Sequence, residues 1–313
     1  MSIINIVSGM EKGENYIDNI FKILINKDNI WKNNKIFASI MKCINNDSQF
    51  NIIKNNIKTN LLYQYRLLSV LSFNNPLLSE YYSNKININH YLTLNTLMIL
   101  LNENQNDKVN SNNMRITNII TANDSKEGKM LEDIFAKKGK KVKMKNIDNL
   151  ISFQTSFSRN TDSLTMFRLY GKSNNQEFTG ASLVIKNDYF NSDDDNFQYN
   201  SNDIFSKNIN FKKNLYWILY YNEEENILIF NPTNSKYTNV VIDLNKIDTK
   251  EYEDKRYEYI VNIIKSVFNN IFETIDYINN NIKGENIKSD IFSYLFENIR
   301  YLIKHEAFLK SRN

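Results

Sequence analysis

Between Tyr257 and Ile278 apolar side chains recur at helical spacing: Ile260, Ile263, Ile264, Val267, Phe268, Ile271, Phe272 and Ile275 fall on one broad face. A stripe that wide and that bulky must be covered by other elements, so the rest of the chain has to fold around this helix. Ile287 to Lys304 repeats the pattern, which gathers helices at the end of the chain. Upstream the pattern shortens. Gly180 to Ile185 alternates, Tyr216 to Tyr221 and Ile227 to Phe230 read as a strand pair around the acidic turn Asn222 to Asn226, and Val240 to Leu244 reads as a further strand. Leu92 to Leu101 and Gly128 to Phe135 read as helices, Met114 to Ile120 and Leu150 to Phe157 as strands, and Met166 to Tyr170 fits either. Short strands among helices place this part of the chain in the α+β class.

Residues 15 to 72 differ, with helix-spaced apolar positions in successive groups ending at Leu61, Leu62, Tyr65, Leu68 and Leu71, enough for three or four amphipathic helices. Asn74-Asn75-Pro76 breaks that run, because the residue before a proline is pushed out of helical geometry. The expected division is therefore a helical segment over 1–84, suited to binding a partner or target, and an α+β domain over 85–313.

Charge and cysteine content exclude several functions. The 313 residues carry a formal net charge of only +4, without the concentrated basic face that nucleic acid demands, so a nucleic-acid partner is not expected. Cys43 is the single cysteine and His90 and His305 the only histidines, which rules out an internal disulfide and disfavours zinc, and no metal is expected. No run approaches the ~20 apolar residues that span a bilayer, and the first residues lack the features of a cleaved secretory signal. A cytoplasmic protein is expected, or one delivered into a target cell without such a signal. Asp193-Asp194-Asp195 lacks calcium-loop spacing, and the run Lys137 to Lys141 lacks interleaved aromatics, so both read as solvated. P-loop, Rossmann, HExxH and GxSxG motifs are all missing.

Three segments remain. His90, at a strand end, could donate a hydrogen bond to a sugar hydroxyl, with Thr93 capping the helix or touching the same ligand; the residues alone favour the plainer alternative, a partly buried His90 that satisfies the helix start. Asp124 and Glu127 have capping-box spacing and could also organise ligand hydroxyls. Around Phe153 to Ser158, strand alternation sets Thr155 and Phe157 against Ser156 and Ser158, a hydroxyl-and-ring combination suited to a nucleotide sugar and base.

In order and spacing these blocks resemble a large bacterial family of formerly uncharacterised domains. The matching blocks are His90-Tyr91-Leu92-Thr93, Met114 to Asn118, Asn123-Asp124-Ser125-Lys126-Glu127-Gly128, and Ser156-Phe157-Ser158 through Phe167-Arg168-Leu169-Tyr170-Gly171. Ile299 to Lys304, followed by Ala307-Phe308, resembles the family's closing block. That family in turn resembles the ADP-ribosyltransferase fold, in which a split antiparallel sheet clamps NAD. The resemblance implies an NAD-consuming transferase or glycohydrolase, a bacterial effector or toxin with a protein target, and NAD as substrate. It implies NAD contacts from His90, Tyr91, Thr93, Ser156, Phe157, Ser158 and Tyr170. The family's late acidic strand, E-x-E-x-R, has no counterpart in this sequence, which leaves Glu177, ranked first, with Glu306 and Glu127 as candidate catalytic carboxylates. That departure also supports an alternative, a noncatalytic interaction module on the same fold.

Overall fold

The computed structural model describes residues 47–72, 88–101, 117–118, 128–144, 153–158, 163–172, 176, 179–185, 215–231, 240–245, 255–296 and 299–307. In chain order the elements are α1 (Asp47–Leu71), β1 (Ile88–Thr93), α2 (Leu94–Leu101), β2 (Thr117–Asn118), α3 (Met130–Lys137), β3 (Phe153–Gln154), α4 (Leu164–Tyr170) and β4 (Gly180–Ile185). Then follow β5 (Leu219–Asn222), β6 (Ile227–Phe230), β7 (Val240–Asp243), α5 (Lys255–Asn281), α6 (Glu285–Phe296), a 3-10 turn (Arg300–Leu302) and β8 (Ile303–His305). The chain is mixed α+β.

The long periodic stripe forms α5. Ile260, Ile264, Val267, Phe268, Ile271 and Ile275 are fully buried, and α5 packs against both α1 and β7. Its sheet has the order β7-β6-β5-β8. Alternation sends Leu219, Tyr221, Leu228, Phe230, Val240, Ile242 and Ile303 into the core, where they meet α5 together with Leu131, Ile134 and Phe135 of α3 and Phe292, Leu295 and Phe296 of α6. Asn226 makes the β5–β6 turn at φ 55, a left-handed geometry that asparagine tolerates. It is held by Tyr221 Oη donating to Asn226 Oδ1 at 3.0 Å, and burial with nearby Glu223 and Asp133 pushes the Tyr221 phenol up to about 12.

One feature differs from the periodicity reading, and one that it left open is decided. The end of the stretch 287–304 is not helical: β8 joins the sheet parallel to β5, with Leu219, Tyr220 and Tyr221 opposite Ile303, Lys304 and His305. The four-stranded sheet is therefore mixed where an antiparallel one was expected, because a three-residue strand has too little alternation to stand out beside a helix. Met166 to Tyr170 is helical, as part of α4, with the Ser163 hydroxyl capping it by accepting from Met166 N–H at 3.3 Å.

The described part of the N-terminal segment shares the core of the later elements. Ile53, Leu67, Val70 and Leu71 of α1 belong to the same buried cluster as α5 and α6. A polar seam adds to the contact: Gln64 Nε2 donates to Asn60 Oδ1 (2.7 Å) and to the Leu295 carbonyl (2.8 Å), and Asn60 Nδ2 donates to Asn270 Oδ1 (3.1 Å) and Thr274 Oγ1 (3.3 Å).

Beside this body lies a smaller unit in which β1 pairs antiparallel with β4, and β2 with β3. α4 packs on β1 and β4. At the end of α4 two glycines touch: a Cβ on Gly171 would stand 2.7 Å from Gly180 Cα. Gly171→Ala should therefore pry α4 from β4 and destabilise the chain by ~1–3 kcal/mol, as overpacking does. Urea unfolding measures this, and an unchanged midpoint would mean the two backbones are not in contact.

Candidate functional site

β1 has two different faces. Tyr91 turns toward α4, is 5% exposed, accepts a hydrogen bond from Ser163 N–H at 3.1 Å and meets the Phe167 ring edge-on at 4.9 Å. It is a packing residue, spent on holding α4. On the other face, Ile88 and Leu183 pack with Ile185, Phe157 and Trp217 in a second small core. His90 lies opposite Leu183 in the ladder and shares this face, with its ring 5.6 Å from that of Phe157.

His90 Nδ1 stands 3.1 Å from the Ser156 carbonyl. A carbonyl can only accept, so Nδ1 carries the proton and the neutral ring presents Nε2 as an acceptor. Burial lowers the His90 pKa, opposed by this hydrogen bond, which favours the charged ring. The expected role is thereby altered: the neutral ring offers Nε2 as an acceptor from a hydroxyl, where a donor was anticipated. The shift also affects stability. A depressed folded-state pKa means that the unfolded chain takes up a proton more readily, so the contribution of neutral His90 is complete above its ordinary value of 6.5 and declines as pH falls below it. Between about pH 7 and pH 5 the wild type should lose more stability than His90→Gln. Parallel pH slopes in urea unfolding would contradict this.

The other wall comes from β8. Because Tyr220 lies opposite Lys304, and Leu219 and Tyr221 enter the core, Lys304 projects from the face of the sheet turned away from that core. Its Nζ donates to Ser156 Oγ at 3.2 Å, tying β8 to the segment that holds His90. Two residues on, Glu306 extends the ladder by donating its N–H to the Tyr221 carbonyl at 3.0 Å, and its Oε2 accepts from Asn222 Nδ2 at 2.9 Å. Asn222 shares the outward face of β5 with Tyr220, so Lys304, Glu306 and Asn222 line the same side of the sheet.

The remaining expected residues scatter. Thr93 Oγ1 accepts from Thr96 N–H at 3.2 Å and caps α2, the structural alternative. Ser158 is buried and bound to Asn89 through both backbone groups, at 2.7 and 2.8 Å, while Ser156 is exposed. Tyr170 ends α4, half-buried. Glu177 and Glu127 lie outside the described residues, as do Asp124, Met114 to Ile116 and Asp193-Asp194-Asp195. Gly128, which closes the Asn123–Gly128 block, has φ +77, and a Cβ there would stand 2.6 Å from the Tyr301 ring. Gly128 therefore meets the closing block of the chain at Tyr301. The basic run serves structure: Lys138 donates to the Leu244 carbonyl and Lys140 pairs with Asp276.

The site residues that composition and motif reading missed are Lys304 and Asn222. Lys304 sits in the closing block two positions before Glu306, and that strand-like spacing was the available signal. Among the described residues no group of three or more His, Cys, Asp or Glu side chains could hold a metal ion, and no helix is long and apolar enough to cross a membrane. Comparison with protein families, with curated proteins and with solved structures finds no match for this chain.

Proposed function

We propose that the seam between β1 and β8 binds NAD and that the chain is an NAD-consuming enzyme of the ADP-ribosyltransferase type, an effector acting on a protein target. The observation that carries this reading is the meeting of His90, Ser156 and Phe157 from one unit with Lys304 from the other. An aromatic face suits a base or nicotinamide ring, an imidazole acceptor suits a ribose hydroxyl, and a lysine ammonium suits the pyrophosphate. Glu306 is the carboxylate nearest Lys304 in the chain. Cleavage of the nicotinamide bond develops positive charge on the ribose, and a carboxylate beside its hydroxyls favours that transition state over the ground state. Asn222 holds the Glu306 carboxylate and limits the reorganisation it must undergo. Purified chain incubated with NAD should release nicotinamide, and His90→Ala should lose that release. Turnover unchanged in His90→Ala would remove the role of the imidazole, and absence of NAD binding would overturn the reading.

A noncatalytic interaction module is the second reading, supported by α2. Leu94, Met98, Ile99 and Leu101 are at least half exposed there, and the helix has no buried residue among them. Apolar side chains in that arrangement suit contact with another protein. A chain that captures a protein partner but gives no heat with NAD would favour this reading.

A further inference from the structure

A groove of about 330 Å³ opens between α1, the end of β7 and α5, away from the residues of the seam. That volume lies at the lower end of the range of small-ligand pockets. On α5 its lining follows the helical repeat: Asn262, Ser266, Asn269 and Glu273 form one stripe, with Asn270 beside it. Tyr63 of α1 and Asp243 of β7 supply the opposite wall.

The chemistry of this lining narrows the ligand. Leu244 is the single aliphatic side chain, so the groove offers little to an apolar molecule. Asp243 and Glu273 outnumber Lys265, which opposes a phosphate or carboxylate ligand. Amides and hydroxyls that donate and accept, beside carboxylates that accept, match a molecule covered in hydroxyl groups.

One of these amides is held in a fixed orientation from behind. Asn60 is fully buried, and its Nδ2 donates to Asn270 Oδ1 at 3.1 Å while Gln64 holds Asn60 Oδ1 at 2.7 Å. With its oxygen accepting from Asn60, Asn270 keeps its amide nitrogen as the group it can donate to a ligand in the groove. Orientation fixed in the unbound protein lowers the entropic cost of binding. We propose that the α1–α5 groove is a binding site for a neutral saccharide.

The site is independent of NAD binding at the seam, so either can fail without the other. Saturation-transfer NMR on the full chain with cellobiose, maltose, lactose and chitobiose tests it, with glucose 6-phosphate as the anionic comparison. Transfer to the ring protons of at least one neutral disaccharide is expected. In Asn262→Ala/Asn269→Ala, affinity should fall about tenfold or more through loss of two hydrogen bonds. Both positions are exposed on α5 and alanine favours helix, so this variant retains the fold. Transfer from none of the four disaccharides, equal affinity in the double variant, or preference for glucose 6-phosphate would each overturn the proposal.

Discussion

Deletion of residues 1–84 is expected to leave a chain that does not unfold cooperatively, because α1 belongs to the same core as the elements that follow it. Ile53, Leu67, Val70 and Leu71 are each at most 3% exposed, and burying such side chains contributes ~1.5–3 kcal/mol apiece. Together they approach the ~5–15 kcal/mol by which a whole domain is stable. Removing α1 also strips Asn270 and Thr274 of their buried partner Asn60 and leaves the Leu295 carbonyl without Gln64. Loss of the sharp thermal transition, with apolar dye binding, is the expected result. A truncated chain that melts cooperatively near the wild-type temperature would show that 85–313 is a self-sufficient domain.

Glu306→Gln should lower nicotinamide release by about 10²–10³-fold, the loss typical of removing one preorganised electrostatic contact to a transition state. The substitution keeps the shape of the side chain and an oxygen able to accept from Asn222, so stability should hardly change. Steady-state release and a melting curve on the same sample separate the two effects. If the variant releases nicotinamide at the wild-type rate, the carboxylate role passes from Glu306 to another acid, with Glu177 and Glu127 next in line.

The fold was most legible where a period ran long. α5 spans Lys255–Asn281 around the stripe read over Tyr257 to Ile278, and β6 and β4 have the bounds that alternation gave them. β8 was barely legible, since three residues that pair in parallel with a strand more than eighty positions earlier leave only the two-residue spacing of Lys304 and Glu306 as a local trace. The relation of α1 to α5 was hidden for a similar reason. Its amphipathic face was plain, but Asn74-Asn75-Pro76 suggested a boundary, and a breaker shows where a helix stops without showing what the helix packs against.

The candidate site was legible in part. His90 and Phe157 share a face because β1 and the segment after β3 are tied at Asn89 and Ser158, and that pairing crosses nearly seventy residues. Tyr91 and Thr93, adjacent to His90 in the same short block, turned out to hold α4 and α2. Neighbouring residues on a strand face opposite ways, so a motif read as a unit supplies both a site residue and the packing that supports it.

Calorimetric titration of NAD into wild type, His90→Ala and Lys304→Ala tests most directly whether the seam is a dinucleotide site. Saturable heat in the wild type is expected, weakened about tenfold or more by Lys304→Ala, because a hydrogen bond to a charged group contributes ~1.5–3 kcal/mol. Absence of heat in the wild type, or equal affinity in all three proteins, would contradict it.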